Sequence, residues 1–147
     1  MSRLRDNVER WLVHENYEFQ QVKSDDSSFK ILIKNSDGLG NNTEVFEPEG
    51  QENILVVGIK LALKTKQQIR FRELNETEQE NYKKKIDDFC YSIKAVHKFL
   101  DEDGKKMVGI YIVLDKQEKL NQPSFFKTLE EITEMSEKTN RFLIKAL

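Results

Sequence analysis

The chain has 147 residues, with 24 Lys and Arg against 26 Asp and Glu, a net charge of −2 and a pI near 5.8. This length predicts a single domain spanning residues 1–147, and 10% aromatic residues argue against disorder. Balanced, interspersed charges argue against a nucleic-acid or anionic-membrane partner, and no apolar run approaches the roughly 20 residues of a membrane helix. One cysteine and a charged N-terminus predict a reducing, cytoplasmic setting.

Periodic patterns in the first half predict one helix followed by strands. In chain order they are a helix at 3–14, strands at 17–23, 29–34 and 44–47, and an apolar strand at 54–63. Ser2 is the predicted N-cap of the helix. Turn-forming residues dominate 35–52, so the strand at 44–47 is expected at a sheet edge, where Pro48 ends it. The apolar strand is expected to be central and covered on both faces.

The second half predicts a long helix, a hairpin and a final helix. Asn75 and Glu78 form a capping-box pattern at the start of the long helix. Its apolar stripe comprises Tyr82, Ile86, Phe89, Ile93 and Val96. The final helix begins near Ser124, with Pro123 just before it. The segment 65–74 is compatible with either a short helix or an extended strand.

The dipeptide Asp103-Gly104 predicts the tip of a tight hairpin. The register that follows gives two ion pairs and then two apolar pairs: Glu102–Lys105, Asp101–Lys106, Leu100–Met107 and Phe99–Val108. One face of the second strand then carries Val108, Ile110, Ile112 and Leu114. The opposite face carries Met107, Gly109, Tyr111 and Val113.

The order of elements is α-β-β-(β)-β-α-β-β-α, in which most strands meet through hairpins rather than helical crossovers. Such an order favours an α+β two-layer sandwich, with a mainly antiparallel sheet and its helices on one face.

Two resemblances follow from this order. The string Val45-Phe46-Glu47-Pro48, the following Ile54-Leu55-Val56-Val57, the helix at 74–93 and the Asp103-Gly104 hairpin resemble a family of uncharacterised archaeal proteins. That resemblance runs from about Leu4 to the end of the last helix. The element order also resembles class I type III secretion chaperones, although this chain has an extra strand. That resemblance implies a homodimer that holds an extended stretch of a partner protein.

The sequence carries no recognisable catalytic signature, and we expect no cofactor and no metal site. Gly38-Leu39-Gly40 lacks the third glycine and the setting of a dinucleotide fingerprint. Cys90 borders the apolar stripe of the long helix, which predicts a buried, inert thiol. His97 lies on the same strand face as Phe99, which predicts a partly buried imidazole; a proton-transfer role is the alternative.

A cluster of basic residues follows the apolar strand and is a candidate anion-binding patch. Its members are Lys64, Lys66, Arg70 and Arg72. They share one face if the segment is extended and scatter around the axis if it is helical. Acidic residues follow immediately, so a solvated, balanced surface is the competing interpretation.

Two functional hypotheses remain. The first is a non-enzymatic, chaperone-like protein-interaction module, whose expected partners are a second copy of itself and another protein. Its interaction surface comprises Met107, Tyr111 and Val113, an apolar strand face that helices on the other side would leave open. The alternative is a small-molecule sensor or enzyme with His97 in a pocket between sheet and helices, walled by Trp11, Phe29, Tyr82 and Phe99. The lack of catalytic partners for His97 favours the first.

Overall fold

The computed structural model describes residues 3–34, 41–102 and 104–146, which form a six-stranded sheet and a layer of helices. The elements are α1 (Arg3–His14), β1 (Phe19–Val22), β2 (Ser27–Ile33), β3 (Thr43–Pro48), β4 (Leu55–Ala62), α2 (Thr65–Glu73), α3 (Glu76–Ser92), β5 (Val96–Glu102), β6 (Lys105–Leu114), a 3₁₀ turn (Gln117–Lys119) and α4 (Gln122–Ala146). The predicted α+β class and element order are confirmed. The predicted cap Ser2 and the residues 35–40 lie outside the described part of the chain.

All strand pairs are antiparallel, and the strand order is β1-β2-β3-β4-β6-β5. The first four strands form a meander. The chain then crosses through α2 and α3 to the far edge, and β6 returns between β4 and β5. The longest pairing therefore joins β4 to β6, from Leu55↔Leu114 to Ala62↔Met107.

On one face of the sheet, the register aligns apolar residues of neighbouring strands in rows. The helices cover this face. One such row crosses the sheet through Ile31, Val45, Val57 and Ile112. All four helices contribute to the core beneath it, with Leu12, Phe71, Ile86 and Phe125 each at most 1% exposed. This is a two-layer arrangement in which a sheet face and four helix stripes bury one another.

The position of β3 differs from the expected edge strand. It pairs with β2 on one side and β4 on the other, so it lies inside the sheet. Pro48 is tolerated because it is the last residue of the strand, where a missing N–H costs no interior ladder bond. β4 is central, as expected, and its residues from Leu55 to Ile59 are all buried, although the helices cover only one of its faces.

The long helix α3 begins as predicted. The Asn75 side chain accepts a hydrogen bond from the Glu78 amide at 2.8 Å, and the Glu78 side chain accepts one from the Asn75 amide at 3.1 Å. Its fully buried residues are Tyr82, Ile86 and Cys90, and the predicted Phe89 and Ile93 pack against the core while partly buried, so only Val96 departs from the predicted stripe. The helix ends at Ser92 because Lys94 adopts a positive φ of 58°, and Val96 already belongs to β5.

The segment left open by the sequence, 65–74, is the helix α2, which is fixed to the sheet by a buried glutamine. The Gln68 amide nitrogen donates to the Leu63 and Lys106 carbonyls at 3.1 and 2.9 Å, and its oxygen accepts from the Lys106 amide at 3.0 Å. These bonds hold α2 against the end of the sheet.

The hairpin register is confirmed in all four predicted pairs. The ion pair between Asp101 and Lys106 is present at 2.5 Å. Gly104 has a φ of 78°, the left-handed conformation that a tight tip requires, while Asp103 lies outside the described residues. Among the helices of the described residues, none is long and apolar enough to cross a membrane.

Replacing Asn75 by Ala removes the side-chain acceptor of the α3 cap. We expect a loss of about 1 kcal/mol in the free energy of unfolding, measured by urea denaturation. Asn81→Ala is the matched control, since it makes the same change at an exposed position inside the same helix and is expected to be neutral or slightly stabilising. Equal effects of the two changes would contradict the role of the cap.

Candidate functional site

The candidate site is the sheet face opposite the helices, called here the open face. The register places one row of it along Leu32, Glu44, Gly58, Tyr111 and Val96. The three residues predicted as an interaction surface, Met107, Tyr111 and Val113, all lie on this face. All four described helices contribute their buried stripes to the core on the other side, while residues of α2 and α4 line surface cavities together with Met107 and Val113, respectively.

Apolar side chains crowd the β6 side of the open face. Val96 and Val113 are 57% and 43% exposed, and Val56 is buried although it is not part of the main core. Val113 pairs across the strands with Val56, which in turn pairs with the half-buried Phe46. Three adjacent strands thus carry a continuous apolar row, of which Val113 is the exposed end.

The ring of Tyr111 lies flat over two glycines at the centre of the face. Gly58 is its direct cross-strand partner on β4, and Gly109 precedes it by two residues on β6. A β-carbon at either glycine would overlap with the Tyr111 ring. Both glycines are therefore required by this close approach, and the tyrosine shields backbone that a glycine leaves bare. Burial is the main cause that raises the Tyr111 pKa, and the charge of Glu44 adds to it.

Four alternating charges cross the open face from β2 to β5. They are Lys30, Glu44, Lys60 and Glu102, called here the charge row. The amine of Lys30 lies 3.9 Å from Glu44, and the amine of Lys60 lies 3.4 Å from Glu44 and 2.7 Å from Glu102. Only 13% of the Glu44 side chain is exposed, so its charge is largely withdrawn from water between two lysines.

The pKa of Lys60 shows how tightly the charge row is coupled. Burial by itself would lower this pKa, but the hydrogen bond to Glu102 and the charge of Glu44 outweigh burial and raise it. Lys60 therefore stays charged on a half-buried surface.

The charge row was missed by the sequence analysis, which paired Glu102 with Lys105. Those two residues are indeed opposite in the hairpin, but the Glu102 carboxylate contacts Lys60 instead. The Lys60 side chain reaches it across β6, which lies between β4 and β5. The only available signal was the β4–β6 pairing, which joins segments far apart in the sequence.

His97 and Cys90 lie on the helix side of the sheet, away from the open face. The ring nitrogen Nε2 of His97 is 2.6 Å from Asp87 Oδ1, a contact that links β5 to α3. Cys90 is fully buried, and burial, with the charge of Asp87, raises its pKa to about 11. A protonated, enclosed thiol is a poor nucleophile, which agrees with the expected inert cysteine.

The walls of the alternative pocket are packed together. Trp11, Phe29 and Tyr82 are each at most 7% exposed and belong to the main core, and Phe99 packs against Phe71 at 6.0 Å. A cavity of about 590 Å³ lies instead outside the core, between α2 and the hairpin tip. Ile69, Arg72, Lys105 and Met107 are among its lining residues.

The basic cluster does not form a single face, because its segment is helical. Lys66 and Arg70 lie one turn apart on α2 and are exposed, whereas Lys64 precedes the helix. Arg72 points to the hairpin and donates to the Gly104 carbonyl at 3.3 Å. The structure thus corresponds to the scattered arrangement, and an anion patch of all four residues remains an untested prediction.

The chain belongs to the family described as uncharacterized conserved protein (DUF2299), whose model matches residues 4–143. A similar solved structure is that of an uncharacterized protein from Methanothermobacter thermautotrophicus. The two share 8% sequence identity with a TM-score of 0.77 over 97% of each chain, a likeness that concerns the fold alone. No curated protein matches the sequence. The predicted resemblance to an uncharacterised archaeal family is thereby confirmed.

Replacing Gly58 by Ala places a methyl group where the Tyr111 ring lies. We expect a loss of about 1–3 kcal/mol in the free energy of unfolding, because the ring must leave its position. In a Tyr111→Ala background the same change should cost little, which a double-mutant cycle in urea measures directly. Purely additive effects would contradict the close approach of the ring.

Cys90 should resist thiol reagents in the folded protein. At pH 8 we expect no reaction with Ellman's reagent until the chain is unfolded, since the buried thiol has a pKa of about 11. As pH rises above the unfolded thiol's value of 9.0, the unfolded chain loses this proton first and stability falls.

A positive control for this labelling is Tyr91→Cys in a Cys90→Ser background, because residue 91 is 85% exposed. This thiol should react at once in the native state. Equal labelling rates at positions 90 and 91 would show that Cys90 is accessible.

Proposed function

We propose that this protein is a non-enzymatic protein-interaction module that acts as a homodimer, with the open face as the contact surface. The observation that carries the proposal is the one-sided cover of the sheet. Met107, Tyr111 and Val113 stand on the uncovered side beside Val56 and Phe46. A contiguous apolar surface of this kind on a small domain is typical of a contact site.

A second copy is the occupant that the charges of the face favour. The charge row carries two positive and two negative groups and is neutral as a set, although the exposed Lys98 and Lys105 also lie on this face. A homodimer interface must complement itself, and a row of mixed signs meets that requirement. Two open faces packed together would form a β-sandwich core between two helical layers.

The chaperone-like part of the proposal rests on β5. This strand has seven residues at the edge of the sheet and pairs only with β6 among the described strands. The opposite edge strand, β1, has four residues. An extended segment of a partner protein can add to the longer edge through main-chain hydrogen bonds. The open face would then remain for the second copy.

The chemistry of His97 favours a structural role over catalysis. Its contact with Asp87 ties β5 to α3, and the aromatic residues expected to wall a pocket are packed in the core. The cavities described at the surface are lined by other residues. These features support the interaction module over the small-molecule alternative.

Val113→Lys tests the contact surface. A lysine at the centre of an apolar contact must lose its hydration, so we expect the dimer to dissociate at least about tenfold more readily. Sedimentation velocity over a concentration series up to tens of micromolar measures this shift. Because Val113 is 43% exposed, the monomer should keep its melting temperature.

Val13→Lys is the matched control, since Val13 is 63% exposed on α1 in the helical layer. It makes the same chemical change away from the open face and should leave association unchanged. A wild-type protein that remains monomeric at tens of micromolar would overturn the proposed homodimer.

A further inference from the structure

We infer that two copies stack open face to open face with their charge rows antiparallel, so that Lys30 meets Glu102 of the second copy and Glu44 meets its Lys60. This inference rests on the proposed homodimer and adds its orientation and register. The argument starts from the order of signs along the charge row, which alternates as plus, minus, plus, minus from β2 to β5.

An alternating row with an even number of charges complements its own reverse. Consider a two-fold axis that lies between the two sheets and is perpendicular to the row. Rotation about this axis places the row of the second copy in the reverse order against the row of the first. Each lysine then faces a glutamate, four times in one interface. A two-fold axis along the row would instead place Lys30 on Lys30 and Glu44 on Glu44, where like charges repel.

The same alternation fixes the register of the contact. Sliding one copy by a single charge places each group opposite one of its own sign, and sliding by two leaves only half of the row in contact. The apolar side chains beside the row, such as Val113 and Phe46, are non-directional and would tolerate several alignments. The charges therefore select among alignments that the apolar surface alone would allow.

Burying this row costs less than burying isolated charges. Lys60 already contacts two carboxylates, and Glu44 lies between two amines with 13% of its side chain exposed. Much of the desolvation has thus occurred in the single copy, and each group keeps its internal partner in the dimer. The second copy adds a further partner of opposite sign to each group.

The test uses the two ends of the charge row, Lys30 and Glu102, whose side chains are 19% and 48% exposed. In the antiparallel stack, Lys30→Glu alone puts like charges in contact twice per dimer, and so does Glu102→Lys. We expect each variant to self-associate at least about tenfold more weakly than wild type in sedimentation velocity at low salt.

Mixing the two variants restores opposite signs at both ends. We therefore expect a heterodimer of Lys30→Glu with Glu102→Lys that forms with nearly wild-type affinity, detected by native mass spectrometry. The double variant Lys30→Glu/Glu102→Lys should also recover self-association. Within one chain this double change places like charges beside Glu44 and Lys60, so its recovery can come only from contacts between copies.

Glu134→Lys is the control for charge reversal, because it lies on α4 in the helical layer and should leave association unchanged. Circular dichroism should show a folded chain for every variant. The antiparallel stack is overturned, but the homodimer is not, by either of two results. One is that both single variants self-associate as tightly as wild type, and the other is that the weakened variants do not form a heterodimer when mixed. A monomeric wild type overturns both.

Discussion

The pairing of β4 with β6 is the constraint on which the rest of the structure depends. It joins the N-terminal meander to the C-terminal hairpin over eight consecutive residue pairs, from Leu55↔Leu114 to Ala62↔Met107. Each half is built from local turns, but neither has a complete core without the other. Because the side-chain period of a strand is two, this one register decides which residues of both halves face the helices.

The same pairing builds the open face. It sets Gly58 opposite Tyr111, so that the ring can lie on bare backbone, and it sets Lys60 opposite Gly109. The Lys60 amine reaches across β6 to Glu102 on the edge strand. The close packing at the centre of the open face thus depends on a pair of glycines in the two central strands.

Polar side chains have different roles on the two sides of the sheet. On the helix side, polar groups serve to fasten elements, as Gln68 fastens α2 to the sheet end and His97 fastens β5 to α3. On the open face, the charges of the row pair with one another across the strands. An open sheet face suits contact with another surface better than it suits the enclosure of a small molecule.

Local sequence signals predicted most of the fold, and non-local contacts account for what they missed. The α3 cap at Asn75 and the hairpin register around Gly104 depend on residues within a few positions of one another, and both are confirmed. The alternation in β6 likewise placed Met107, Tyr111 and Val113 on one face.

The partners of Glu44 and Glu102 could not be predicted in this way. Their contacts cross strands whose order depends on where the chain returns after two helices. The strand β3 was expected at an edge because turn-forming residues surround it and Pro48 ends it, but both of its sequence neighbours, β2 and β4, pair with it. Strand order depends on how complete sheet faces are buried against the helices. A short stretch of sequence does not contain this information.

The ring of Tyr111 over Gly58 and Gly109 has an evolutionary consequence. Three positions on two strands share one small volume, so a substitution at any of them changes what the other two tolerate. Among relatives of this chain, glycine at both sites should accompany a large flat ring, and a β-carbon at either should accompany a smaller residue at position 111. The three columns of a family alignment should therefore vary as a set, leaving a record of this contact in sequences alone.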